Sequence, residues 1–188
     1  MDFIDTLRDI YATRGLETFE GDRRVTQTSH ALQTAAIAEE EQASPAMIVA
    51  ALLHDVGRII NPKDREITDN GGNAKHEVVA QQYLDPWFGP EVTMPIKWHV
   101  AAKRYLVATD PGYRGKISPG STRSLKGQGG EYTSSDAEDF MAQPYAAEGV
   151  QLRRWDDRAK KVDASTPAFE HFIPYLRECI KTHDGSKN

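Results

Sequence analysis

Four histidines and two aspartates have the residue types and the spacing of a metal site. They are His30, His54, Asp55, His76, His99 and Asp156. The four imidazoles follow one another at intervals of 24, 22 and 23 residues, and the second aspartate comes 57 residues after the last of them. Neutral imidazole together with carboxylate suits iron, manganese or zinc. The adjacent pair His54-Asp55 is the most informative, because a carboxylate has two oxygens and can bridge two metals while its neighbour binds one.

Each histidine also has an ordinary interpretation. A single helical histidine is more often a surface residue or a hydrogen-bonded core residue than a ligand, and we expect this of His171 and His183, which lie outside the spaced set. The pair His54-Asp55 differs, because the segment AALLHDVGR places two strongly polar groups directly after an apolar helical turn. A core would leave such groups uncompensated. Cys179 is the only cysteine, so neither a thiolate site nor an internal disulfide can form.

Helices are the elements that would position these residues. Apolar spacing with start and stop signals predicts them at 2–13, 25–43, 44–57, 74–84, 90–109, 151–161 and 166–182. The capping-box pattern Ser135-x-x-Glu138 begins another. Residues 60–73 and 110–131 are rich in turn formers and predict loops, and the second is long enough to be an active-site loop or lid. Without any alternating strand pattern, the sequence predicts an all-α helical bundle with a central di-metal site.

Length and charge restrict the class of protein. A chain of 188 residues fits a single domain over 1–188. The net charge of −5 argues against nucleic acid as a partner. No apolar run approaches the roughly 20 residues of a membrane span, and the N-terminus MDFIDTLRDIY lacks the basic region of a signal peptide. We therefore expect a soluble cytoplasmic protein with neither a membrane nor a nucleic-acid partner.

The order H…HD…H…H…D resembles the HD-domain superfamily, and ALLHDVG is similar to its defining turn. Most of that superfamily hydrolyses phosphate esters. Three further segments resemble the HD-domain mixed-valent di-iron oxygenases that cleave carbon–phosphorus bonds, the PhnZ/TmpB group. They are WHVAAKRYL at 98–106, STRSLKGQGG at 121–130 and RRWDDRAKK at 153–161. The resemblance runs from about His30 to the C-terminal helix.

This resemblance implies a role for each candidate. One iron would be bound by His30, His54 and Asp156 and the other by His76 and His99, with Asp55 bridging and no catalytic residue beyond the ligands. The cofactors would be two iron ions, Fe(II) and Fe(III), with O2 as co-substrate. The substrate would be a small organophosphonate made by an upstream hydroxylase. The implied substrate-binding residues are Lys103, Ser121, Ser124, Gln128 and Arg153, together with Arg58 in the place of a family histidine.

Elementary chemistry agrees with the anion-binding part of this set. Lys103 follows His99 by one helical turn, so its ammonium would lie beside the metals. Ser118-Pro119 predicts a helix N-terminus, and the backbone N–H groups there favour an anion.

The chain departs from the family just before the first histidine. Aminophosphonate-cleaving members carry a tyrosine and a glutamate there, opposite which this chain has Glu20 and Arg23. A trimethylammonium group lacks N–H donors and is best held by aromatic faces. Loss of the glutamate therefore favours 1-hydroxy-2-(trimethylammonio)ethylphosphonate as substrate, giving glycine betaine and phosphate.

Three alternatives remain open at this point. The first is the same chemistry on 2-amino-1-hydroxyethylphosphonate, which gives glycine, with Phe19, Glu20 or Asp22 supplying a different amine site. The second is an HD-type metal-dependent phosphohydrolase that activates water on a phosphate ester. The third is a non-catalytic HD module that binds a nucleotide or a phosphorylated ligand.

Overall fold

The computed structural model describes residues 2–16 and 25–181. In these ranges the chain forms eleven α-helices, two short 3-10 turns and no β-strand, so the all-α prediction is confirmed for the described residues. The helices are α1 (Phe3–Thr13), α2 (Gln27–Glu40), α3 (Pro45–Leu53), α4 (Val56–Ile60), α5 (Asp64–Asp69), α6 (His76–Leu84), α7 (Pro90–Thr109), α8 (Pro119–Gly127), α9 (Ser134–Met141), α10 (Ala146–Arg158) and α11 (Ile173–Cys179). A single domain over residues 1–188 stays a prediction.

Helix α3 is the centre of the bundle. Its residues from Met47 to Leu53 are all buried, as expected of a helix that is apolar on every face. The helix begins at Ser44, whose hydroxyl accepts a hydrogen bond from the Met47 N–H, and Pro45 occupies the first turn. Helices α2, α7, α10 and α11 pack around it. This arrangement fixes the point at which α3 ends, where His54 and Asp55 follow.

The prediction of one continuous helix over 44–57 is wrong. Helix α3 ends at Leu53 and α4 begins at Val56, with His54 and Asp55 in the turn between them. Asp55 has φ −101° and ψ 10°, which takes the backbone off the helical path. Gly57 then lies against α6: a Cβ on this residue would be 2.0 Å from the carbonyl oxygen of His76. Because glycine has no side chain, the backbones of α4 and α6 can pack directly against each other here.

Helix α7 has the predicted bounds and α1 lies within its predicted range, whereas the two predicted loops contain helices. Residues 60–73 include α5, and residues 110–131 include α8, which begins where Ser118 accepts a hydrogen bond from the Ser121 N–H. Both helices are short and lack an apolar pattern long enough to predict them.

Other boundaries also differ from the prediction. The capping box is formed by Thr133 and Asp136, two residues before the predicted pair. Helix α10 begins five residues early, after Tyr145 takes a positive φ of 63°. The predicted helix over 166–182 is a 3-10 turn at Phe169–Phe172 followed by α11, because a proline in the first turn of α11 suits the start of a new helix. No helix in the described ranges has both the length and the apolar character needed to cross a membrane.

Candidate di-metal centre and anion pocket

Five segments of the chain bring the six candidate ligands to one interior point. His30 lies in the first turns of α2, His76 is the first residue of α6, His99 is in the middle of α7, and Asp156 is near the end of α10. The α3–α4 turn supplies the other two. All six are at most 5% exposed. Polar side chains buried to this extent are costly unless they form hydrogen bonds or ion pairs or bind a metal.

Asp55 lies between two pairs of imidazoles, and each of its oxygens faces one pair. Its Oδ1 is 3.2 Å from the Nε2 of His76 and 3.7 Å from that of His99. Its Oδ2 is 3.7 Å from the Nε2 of His54 and 3.9 Å from that of His30. These atoms form two groups of possible metal ligands that share Asp55. The geometry is that of a carboxylate placed to bridge two cations.

Asp156 lies beside the group of His30, His54 and Asp55. Its Oδ1 is 3.2 Å from the Nε2 of His30. Its Oδ2 forms an ion pair with the Nη1 of Arg153 at 2.8 Å. One oxygen thus faces the histidines while the other is held in place.

The imidazole orientations fit bound metal. The Nδ1 atoms of His30, His54 and His99 lie 2.6–2.8 Å from the carbonyl oxygens of Ala159, Ala51 and Ile96, so each Nδ1 carries the proton. Their Nε2 atoms are then lone-pair donors, the arrangement usual for metal-bound histidine. The Nε2 atoms of His30 and His54 face each other at 3.2 Å. Two lone pairs at that distance repel unless a cation lies beside them.

Electrostatics also favour a cation. Burial lowers the pKa of His54 and, more strongly, that of His99, so both stay neutral. Burial acts to raise the pKa of Asp55, but interactions with His54, Arg58 and His76 outweigh it and hold that pKa well below its usual value. In the same way Arg153 and Lys160 outweigh burial and hold the pKa of Asp156 low. Ionised carboxylates among neutral imidazoles are the donor set that iron, manganese or zinc takes.

A pocket adjoins the histidines and is lined by cations and hydroxyls. Lys103 donates to the Ser124 hydroxyl at 2.9 Å, and Arg153 donates to the Ser121 hydroxyl at 3.0 Å. Both serines lie on α8, so this helix forms one wall of the pocket. The buried Oε1 of Gln128 has no hydrogen-bond partner in the structure. The ammonium, guanidinium and hydroxyl donors of this pocket are suited to the oxygens of a phosphonate or phosphate.

Lys103 shows how strongly positive this pocket is. The side chain is 2% exposed, and burial, followed by repulsion from Arg153 and Arg58, lowers its pKa to about 7. An anion placed next to the ammonium would offset that repulsion and favour the charged form.

All six predicted substrate-binding residues line this one pocket: Lys103, Ser121, Ser124, Gln128, Arg153 and Arg58. The structure thus brings the candidates together, and their individual roles stay predictions. His171 lies outside the cluster at the surface, within 2.9 Å of Glu39. Glu20 and Arg23, which stand opposite the family's tyrosine and glutamate, lie outside the described residues. So do Phe19 and Asp22, the other candidates for an amine site, and His183.

The sequence did not identify Lys160 and Glu77. Lys160 lines the pocket and lies 3.2 Å from Asp156, four residues earlier, a spacing that would have pointed to it. Glu77 is buried beside His76, with 3.6 Å between its Oε2 and the Nδ1 of the ring. Adjacency in sequence was the only signal for Glu77.

Residues 28–135 match the family described as the HD domain. The chain is also 33% identical over 183 residues to the [1-hydroxy-2-(trimethylamino)ethyl]phosphonate dioxygenase (glycine-betaine-forming) of Leisingera caerulea, a match that covers 97% of this chain and 93% of the relative. It is 38% identical over 161 residues to the hydroxymethylphosphonate dioxygenase of Gimesia maris, covering 85% and 80% respectively. The chain therefore belongs to the HD-domain family and, within it, to the phosphonate dioxygenases, which are metal-dependent enzymes that use O2.

Proposed function

We propose that this protein is a di-iron oxygenase that uses O2 to cleave the carbon–phosphorus bond of a small 1-hydroxyphosphonate. The observation that carries the proposal is Asp55, whose two oxygens face two separate imidazole pairs beside a cationic pocket. Two iron ions held there would supply the redox chemistry by which O2 reacts with the substrate carbon. The reaction balances without another reductant, because one hydroxyphosphonate and one O2 give one carboxylic acid and one phosphate.

The side chains have separate tasks in this proposal. His30, His54 and Asp156 would hold one metal and His76 and His99 the other, with Asp55 shared between them. Lys103, Ser121, Ser124 and Arg153 bind the phosphonate oxygens and so orient the carbon–phosphorus bond with respect to the metals, and Gln128 adds an amide whose Oε1 is free to accept a hydrogen bond. Helix α8 covers the substrate and excludes water, which makes residues 110–131 an active-site lid.

Three substrates are candidates, and they differ in the group at the end distant from phosphorus. The Leisingera relative supports the trimethylammonio compound, which gives glycine betaine. The Gimesia relative supports hydroxymethylphosphonate, which has no tail and gives formate. The amino compound, which gives glycine, stays a prediction from the sequence. In each case the hydroxyl must come from an upstream hydroxylase acting on the parent phosphonate, and we place the pair of enzymes in the cytoplasm.

Phosphate release by the iron-loaded, full-length protein tests this function. We expect release from at least one of the three hydroxyphosphonates in the presence of O2 and none without it, with one O2 consumed per phosphate. A hydrolase with the same ligands would instead release phosphate from an ester without O2. Oxygen-independent release from an ester, with none from any hydroxyphosphonate, would overturn the proposal.

A further inference from the structure

Four cationic side chains line the pocket, and they differ in the groups that they contact. Lys103 and Arg153 contact Ser124 and Ser121, while Lys160 lies beside Asp156. Arg58 approaches from α4 instead: its guanidinium is 3.3 Å from the Oδ1 of Asp55. The pocket therefore has a positive wall in addition to the groups suited to phosphonate oxygens.

Ion pairs on two sides fix the position of Arg58. Its Nε faces Asp55 and its Nη1 is 3.3 Å from Asp64, and the side chain is 11% exposed. The Asp55 oxygen that it contacts is the one that also faces His76 and His99. A substrate bound at the metals would thus have a guanidinium next to it, held by two carboxylates rather than free to swing into solvent.

The described part of the pocket offers little to a cation. Its lining includes no phenylalanine, tyrosine or tryptophan, and its only carboxylates, Asp55 and Asp156, are candidate metal ligands. A quaternary ammonium is normally held against such aromatic faces, and a primary ammonium needs an acceptor that is not already engaged. Neither kind of partner is available among the described lining residues.

We propose that Arg58 determines specificity by excluding a positive charge from the carbon chain of the substrate. The substrate is then a 1-hydroxyphosphonate with a neutral tail or none, of which hydroxymethylphosphonate is the simplest. This inference rests on the function proposed above and replaces the trimethylammonio substrate that the sequence favours. Two like charges about 6 Å apart at an effective dielectric constant of about 20 repel enough to lower binding about 100-fold.

A pair of compounds with the same shape separates charge from size. In 1-hydroxy-3,3-dimethylbutylphosphonate a tert-butyl group replaces the trimethylammonium group of the betaine-forming substrate, without its charge. For the wild-type protein we expect kcat/KM for hydroxymethylphosphonate to exceed that for the trimethylammonio compound by about 100-fold, and the tert-butyl compound to bind more tightly than the trimethylammonio compound by a similar factor. The wild-type comparison needs no variant and so does not depend on how any substitution folds.

Arg58→Gln tests whether this residue is responsible. In the variant the preference for the tert-butyl compound should fall to below about 10-fold, with metal content checked because Asp55 loses a partner. Arg154→Gln makes the same substitution at an exposed arginine of α10 and should leave the preference unchanged. Equal or tighter binding of the trimethylammonio compound by the wild type would overturn the inference, as would an unchanged preference in a metal-loaded Arg58→Gln variant.

The two proposals fail in different ways. If no hydroxyphosphonate releases phosphate, the proposed function is wrong, while anaerobic binding of the paired compounds still measures the effect of charge. If the trimethylammonio compound is the best substrate, the function stands and only the role of Arg58 is wrong.

Discussion

At the scale of single residues, His76 differs from the other three candidate imidazole ligands in the group that faces its Nδ1. The other three meet backbone carbonyls, whereas His76 has the Glu77 carboxylate at 3.6 Å. That Oε2 atom is buried and has no hydrogen-bond partner in the structure. A carboxylate beside the outer nitrogen of a ligand orients the ring and makes its metal-binding nitrogen more basic. We therefore expect Glu77 to act as a positioning residue for the metal at His76 and His99.

Glu77→Gln should weaken the binding of that metal by about 10-fold, in the range found for partners of metal-bound histidines. The measurement is the apparent Kd of each of the two irons, obtained by competition with a chelator, together with the EPR signal of the pair. Glu91→Gln is the matched control, because Glu91 is likewise the second residue of its helix, α7, but is exposed. Equal metal affinity in the wild type and in Glu77→Gln would show that Glu77 has only a packing role.

At the scale of elements, the helices that carry the candidate ligands could be predicted from the sequence better than the short helices beside the pocket. The ligand-bearing helices have regular spacing and clear signals, such as Ser44-Pro45 before α3 and the proline at the start of α7. Helices α5 and α8 have six and nine residues, and helices this short depend on tertiary packing for their stability. The sequence therefore indicated a helix N-terminus at Ser118 but did not predict the extent of α8. Arg58 and Lys160 share a pocket only because the fold brings distant segments together.

The crossing of α4 and α6 gives an element-scale prediction. A Cβ on Gly57 would lie 2.0 Å from the carbonyl oxygen of His76 and 2.9 Å from the backbone nitrogen of Ala80, so the two helices must separate in Gly57→Ala. Overpacking of this kind costs about 1–3 kcal/mol of unfolding free energy. Because α6 carries His76 and α4 follows Asp55, the separation should also lengthen the 3.2 Å contact between these two candidate ligands.

Denaturant unfolding and iron content measure both effects of Gly57→Ala. Gly115→Ala is the matched control, because a Cβ there has nothing nearer than 3.9 Å. We expect the control to retain wild-type stability and full iron content, and Gly57→Ala to lose both. A stable Gly57→Ala variant with full iron content would contradict the close crossing of the helices.

At the scale of the whole molecule, the interior carries an electrostatic cost that metal would relieve. Two ionised carboxylates and four imidazoles are buried at the junction of α2, the α3–α4 turn, α6, α7 and α10. These segments are distant in sequence, so a bound cation pair would link most of the bundle. Ligands that bind only the folded state stabilise it according to their free concentration relative to Kd. Metal binding and global stability should therefore be coupled in this protein.

Removal of metal by a chelator should lower the melting temperature. At a free metal concentration 100 times Kd, each ion contributes about 2.7 kcal/mol of unfolding free energy, and each kcal/mol corresponds to about 2–4 °C in a chain of this size. We expect two ions per chain in the wild type and a smaller metal-dependent shift in His30→Ala, which loses one ligand of the site shared with His54 and Asp156. His171→Ala removes a surface histidine that is bound to Glu39 and should leave the metal-dependent shift unchanged. A melting temperature that is the same with and without metal would mean that the six side chains do not hold a metal pair that stabilises the fold.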